Sequence, residues 1–349
     1  MIVFIEKITK IKIKVFLESV IFMINKNVEL SLMYELDNLH HVVVQASDVG
    51  SKYVYALQLL HKQTDIIVYR AEPSGDHVVF DEDNSIVYLT GMAGGHTQTW
   101  TYAGEKNRWF IGTKPKKHGS ILWDTQIARV NLENAPIQID SNTNLPRLSY
   151  MNRAGYGYGD NSVPIPGTQF ERLEAAVSPD YKKFLVASID VNHVGRFALY
   201  NLDEINQALD EAELDNSDVN IQNMNCLGAF AVPNFNSEII QSVQGYDIDE
   251  NNNIYVSSQL GPTTDFLGLA KEGKPREIVK IPWGETNPDN WGVADLTHDK
   301  TVDSLGYVTE FESVQVLDAN NIYLTVAYHR RSDLTTLKNR IYKVEGFGN

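Results

Sequence analysis

Five polar residues recur at matched places along the chain, Gln45, Gln98, Glu174, Gln244 and Gln315, separated by 53, 76, 70 and 71 residues. Four amides and one carboxylate on a common axis can donate and accept hydrogen bonds around a ring. Such a ring either holds a ligand or pairs neighbouring segments of the chain, because a buried amide must be satisfied at both ends. Both readings stay open. A second set has ligand-binding character. His96 follows Gly94-Gly95, where backbone can approach a ligand closely, and precedes Gln98 and Trp100. Arg153, Tyr156 and Tyr158 lie in a stretch too rich in Gly and Pro for regular structure, so a guanidinium and two flat rings are expected at the surface. His96, Gln98, Trp100, Arg153, Tyr156 and Tyr158 are therefore the candidate ligand residues. Tyr150, Trp283 and Trp291 also lie in or beside loop-like segments, although core packing competes for the tryptophans.

Catalytic signatures are sparse. The chain has no HExxH, GxSxG, Walker loop or CxxC pair, which removes the usual support for metalloprotease, α/β-hydrolase, nucleotide or zinc chemistry. Glu174 with Asp180, or Glu174 with Glu312, could form the carboxylate pair of a glycosidase. Among 45 Asp and Glu residues such pairs also arise by coincidence. Asp247-Ile248-Asp249-Glu250-Asn251 begins like a calcium loop, but Asn252 and Ser258 stand where an EF-type loop needs Gly and an acidic ligand. A hairpin turn built on Asp and Asn explains the same residues. No metal site or cofactor is expected.

These residues must be positioned by strands. Around each ring residue runs a module of strand, polar turn and strand: residues 42–59, 96–113, 173–189, 242–258 and 313–328. A third short strand follows each, at 67–70, 127–130, 197–200, 278–281 and 341–344. A meander of this length cannot bury both faces alone, so five of them predict an all-β, five-bladed β-propeller. Residues 28–36 alternate as a strand that could close the ring in the last blade, and residues 77–90 read as an extra hairpin. One helix is expected, at about 201–214, with Asn201 as its cap and Asp203 and Glu204 in the first turn.

Composition narrows the partners. A formal net charge of −15 opposes binding to nucleic acid and strong attraction to an anionic membrane. One cysteine, Cys226, excludes an intramolecular disulfide without fixing the compartment. Residues 1–27 are apolar but interrupted by Glu6, Lys7, Lys10, Lys12, Lys14 and Glu18, unlike a signal peptide or a membrane span. They are expected to be an extension outside the fold, leaving residues 28–349 as a single propeller domain.

Several long stretches in fixed order resemble the helveticin J family of large bacteriocins from lactic acid bacteria. They are GSKYVYALQL from Gly50, AGGHTQTW from Ala93, WFIGTKP from Trp109, PRLSYMNRAG from Pro146, EAAVSPDYKKFL from Glu174, SVQGYDIDENNNIYVSSQ from Ser242 and YLTVAYH from Tyr323. The resemblance spans about residues 42–344; residues 1–22 have no counterpart. It implies an antibacterial protein acting on related bacteria, secreted or released without a recognisable signal peptide. It supplies no catalytic residues. Because an acidic propeller cannot act as a cationic membrane peptide does, the expected partner is a cell-surface glycan or wall polymer. A cell-wall-degrading glycoside hydrolase and a non-enzymatic interaction or cell-aggregation scaffold are the alternatives, and a protein partner is left open.

Overall fold

The computed structural model describes residues 23–158, 170–266 and 268–348. Alternation decides the architecture. In Val54–Leu60, Val54 and Ala56 face one neighbouring sheet while Tyr55, Leu57 and Leu59 face the other. Along Lys183–Asp190, Phe184 and Val186 point one way and Leu185, Ala187 and Ile189 the other. A strand apolar on both faces must be covered on both, and successive side chains alternate between them. The outcome is five radial sheets with five buried apolar clusters, one at each interface between neighbouring blades. The expected five-bladed propeller is what forms.

The innermost strands are Val44–Val49, Trp100–Tyr102, Phe170–Val177, Val243–Ile248 and Tyr307–Val316. The first of these contacts the last, so the ring is closed. Glu29–Asp37 runs antiparallel to the C-terminal strand Thr336–Glu345 and completes the fifth blade, as the sequence predicts. On the extension side of residue 28, Ile24–Asn25 pair in parallel with Gly292–Asp295 on the fourth blade. The expectation for residues 1–22 lies outside the described residues.

The outer edges show a regularity absent from the sequence reading. Between its third and fourth strands a blade reaches back to the preceding one and adds a short parallel strand there. Ile137–Ile139 does so on blade one, Val219–Asn220 on blade two, and His77–Val79 on blade five. The expected hairpin at 77–90 is therefore split: residues 77–79 belong to the fifth blade, whereas Val87–Leu89 is the fourth strand of the first. Each excursion covers backbone groups that would otherwise form an open edge. Blade three has a side-chain version, with Trp283 lying over Gly228 and edge-on to Phe230.

The helix is Leu202–Asp215, and the Asn201 side chain accepts from the Glu204 N–H at 3.1 Å. It is part of the same backward reach. Leu202, Ile205 and Leu209 are buried between blades two and three. The buried Arg129 guanidinium of blade two is bound by Asn206, Asp210 and Glu105.

Candidate functional site

The five inner strands all run in one direction through the ring, so the channel has an entry mouth where they begin and an exit mouth where they end. At the entry mouth a pocket of about 520 Å³ is bordered by Gln45, Gln63, His96, Trp123, Glu171, Arg172, Gln244, Glu310 and Glu312. The backbone explains why polar groups gather there. Strand register slips between Val44 and Ala46, between Val243 and Gly245, and between Phe311 and Val314. Gln45, Gln244 and Glu312 sit at these slips. A bulge leaves its extra residue out of the ladder and re-aims the side chain, here toward the axis.

Gln98 is the hub. Its amide nitrogen lies 3.2 Å from Gln45 Oε1, 3.3 Å from Gln244 Oε1 and 3.0 Å from Glu312 Oε2, and its carbonyl accepts from Arg172. Glu174 receives the Gln98 backbone N–H at 3.1 Å and the Thr99 hydroxyl at 2.6 Å. Arg172 binds Glu174 Oε1 at 3.4 Å and the Gln244 carbonyl at 3.0 Å, and also donates to the Val243 carbonyl. The polar ring therefore exists, with one change of membership. Gln315 is not in it. Its amide clasps Val49 of the adjacent blade, taking the N–H at 2.8 Å and giving to the carbonyl at 3.3 Å, while Glu312 occupies the fifth position. Ser242-Val243-Gln244 and Ser313-Val314-Gln315 look equivalent as residues, but the fifth-blade bulge lies earlier along its strand.

The charges are buried. Burial raises Glu174 above the usual carboxylate range, against the opposing pull of Arg172 and the Thr99 and Gln98 donors. Glu312 is raised well above it by burial and by Glu310. Burial, aided by Arg172, pushes the His96 imidazole down to about 3, so it is neutral. His96 pairs with Gln63 Oε1 at 3.0 Å and packs on Trp123 with ring centroids 4.2 Å apart. Trp123 in turn lies 5.0 Å from the Arg172 guanidinium.

The six candidate ligand residues do not form one site. His96 and Gln98 stand at the entry mouth and in the ring. Trp100 is only 4% exposed and stacks on Trp109 at 4.8 Å between blades one and two, so it belongs to the core. Arg153, Tyr156 and Tyr158 are exposed and border none of the pockets described. Arg153 lies 5.8 Å from the Tyr156 ring, beside a turn in which the Gly155 N–H donates to the Tyr200 hydroxyl and Gly155 abuts Ala229 of blade three. Trp291 is fully buried, and Tyr150 is exposed.

Of the proposed carboxylate pairs, Glu174 and Glu312 both reach Gln98. Asp180 is taken up by Ser178 and Lys182 in a hairpin turn. The acidic run at 247–251 is also a turn: Asp249 Oδ1 accepts from Asn251 N at 2.9 Å and Asn253 N at 2.8 Å. Sequence reasoning missed Trp123 and Arg172. Trp123 lies on a small hairpin, Lys116–His118 against Ile121–Trp123, whose Gly119-Ser120 turn is a readable signal. Arg172 carries no such mark, since only the bulge at its strand start turns it inward.

The family described as "Bacteriocin helveticin-J" matches residues 24–348. Bacteriocin helveticin-J of Lactobacillus helveticus is 42% identical over 341 residues, covering 91% of this chain and 97% of that one. Among solved structures, the catalytic domain of a Coprinopsis cinerea GH62 alpha-L-arabinofuranosidase aligns with TM-score 0.45 and 8% identity over 92% of this chain and 97% of its own. The beta-propeller domain of the Trilobed protease from Pyrococcus furiosus aligns with TM-score 0.29 and 10% identity over 90% and 72%. Likeness at that level carries no chemistry. From the sequence match, extending over nearly the whole chain, this protein belongs to the helveticin-J bacteriocin family.

Proposed function

We propose that the protein is a bacteriocin-like antibacterial protein, released from the producing cell, that acts on related bacteria by recognising a surface glycan or wall polymer at the entry mouth. One observation carries the reading: a pocket of about 520 Å³ bordered by the carboxamides of Gln45, Gln63, Asn236, Gln241 and Gln244 beside the half-buried indole of Trp123. Carboxamides both donate and accept, which suits sugar hydroxyls, and a flat ring suits the apolar face of a sugar. The acidic surface favours such specific contacts over bulk attraction to anionic lipid. Among the described residues no helix is long and apolar enough to cross a membrane.

The test is sedimentation of the protein with purified cell walls from related strains, beside growth inhibition. Trp123→Ala should weaken wall binding by about 1–3 kcal/mol, as truncated anchors do, with inhibition falling in parallel. Unchanged binding by a folded Trp123→Ala protein refutes the entry-mouth assignment. A second reading, wall hydrolysis, draws on Glu312, a carboxyl whose pKa burial raises well above the usual range at the same mouth, as is that of a glycosidase acid. Release of reducing sugar from walls, abolished in Glu312→Gln, would decide for the hydrolase.

A further inference from the structure

The exit mouth is a different chemical environment. A pocket of about 440 Å³ opens there, walled by Tyr53, Tyr55, Tyr102, Trp109 and Tyr181, with Asp48 and Asp247 toward the channel. The rings form a continuous surface. Tyr53 and Tyr55 are 6.5 Å apart, Tyr55 and Trp109 4.3 Å, Trp109 and Tyr102 5.4 Å, and Tyr102 meets Tyr181 edge-on at 5.4 Å.

The polar groups around the pocket can be sorted by what already engages them. Gln315 is held by the Val49 backbone at both ends. Lys52 lies at the exposed rim, paired with Glu72 at 3.2 Å and set against the Tyr53 ring, which Arg70 also approaches. Asp247 accepts the Val316 N–H at 2.5 Å and the Ile248 N–H at 2.8 Å. No hydrogen bond or ion pair among the described residues reaches the Asp48 side chain, although Tyr55, Tyr181 and Asp247 all lie within its electrostatic reach. Asp48 and Asp247 also border a narrower cavity that continues into the channel, beside Tyr246. The buried Tyr246 hydroxyl has no partner either. What the pocket leaves unengaged is thus an acceptor with negative character beneath aromatic faces.

We infer that the exit mouth is a second binding site, for a ligand carrying an ammonium group, seated against the accessible rings of Tyr53, Tyr102 and Tyr181 with its charge directed at Asp48. Aromatic faces attract cations through the ring quadrupole, and a carboxylate without a partner supplies the counter-charge. An anionic ligand is disfavoured, since among the described residues lining the pocket the only cation is Lys52, which with Arg70 stacks at the Tyr53 rim. This site is independent of the entry mouth and stands whether or not wall binding occurs there.

The test is calorimetric titration of the full chain with choline and with 3,3-dimethyl-1-butanol, its uncharged isostere, at pH 8. Choline is expected to bind at least about tenfold more tightly than the isostere, and Asp48→Asn should remove that preference. Because burial holds Asp48 at about 7, choline affinity should fall roughly 30-fold between pH 8 and pH 5.5 as the carboxyl protonates. Tyr181→Ala, at a half-exposed ring, should weaken choline without altering the melting temperature. Glucosamine against glucose at pH 7 distinguishes the body that bears the charge. A glucosamine preference at least as large as that for choline identifies an amino sugar, and a smaller one identifies a quaternary amine. Equal binding of choline and its isostere, no binding of either, or unaltered binding by a folded Asp48→Asn protein overturns the inference. Choline binding that persists when Trp123→Ala abolishes wall binding separates the two mouths.

Discussion

Replacing Asp48 by Asn should stabilise the protein at alkaline pH and leave it unchanged in acid. Burial raises this carboxyl from an ordinary value to about 7. Between roughly pH 4 and 7 the folded state therefore holds a proton that the unfolded chain has released. The folded state binds more protons, so the slope of unfolding free energy against pH is negative, and stability falls as pH rises through this window. At about 1.4 kcal/mol per pH unit the cost is at most ~4 kcal/mol above pH 7. Asp48 is half-buried and borders open solvent, so screening reduces the expected figure to about 2 kcal/mol. Asn keeps the shape without the charge. Its removal also relieves Asp247, whose raised carboxyl is due first to burial and in part to Asp48, and this adds with the same sign. Urea unfolding of both proteins at pH 8 and pH 4 measures the effect, because contributions from other titrating groups cancel in the difference. A gain equally large at pH 4, or no gain at pH 8, would refute the reasoning.

The other titrating and charged groups give complementary expectations. His96 is held neutral at about 3, so the stability it contributes is complete above about pH 6.5 and is lost as pH falls toward 3. His96→Gln should remove roughly 3 kcal/mol of the loss between pH 7 and pH 4.5, read as a flatter acid limb in thermal melts; an unchanged limb would show that the imidazole titrates freely. Arg172→Met leaves Glu174 buried without its cation and frees two carbonyls of blade four, which should cost about 3–5 kcal/mol at neutral pH. Adding Glu174→Gln to that variant should recover part of the loss, and strict additivity in the double-mutant cycle would show that the two residues are not coupled.

Much of the fold was legible because its determinants are local. Strands such as residues 54–60 announce themselves by two-sided apolar character, and turns by Asp and Asn side chains that bond their own backbone, as Asp249 and Asp318 do. The helix was readable from Asn201 and its acidic first turn. The split of residues 77–90 was not, because a hairpin and two strands in different blades share one local pattern. The candidate site was legible only in part. Gln45, Gln98, Glu174 and Gln244 do meet, but Trp100, chosen for its neighbours in sequence, is stacked in the core.

The sequence by itself determined the number of blades, the closing strand and the polar character of the axis, since alternation and turn chemistry act over a few residues. Tertiary structure alone decided which polar groups converge. The bulge of the fifth blade lies earlier along its strand than its counterparts, which places Glu312 rather than Gln315 beside Gln98. Likewise the ring's closing bonds, such as Ser47 to Thr325 at 2.6 Å, join residues 278 apart in the chain. Asp48 faces Tyr55 across its own hairpin, but Tyr102, Trp109 and Tyr181 come from the second and third blades, and nothing local in the chain foretells that meeting. Alternation fixes which face a side chain takes, whereas what it meets there depends on how far the neighbouring blade has slipped along the axis.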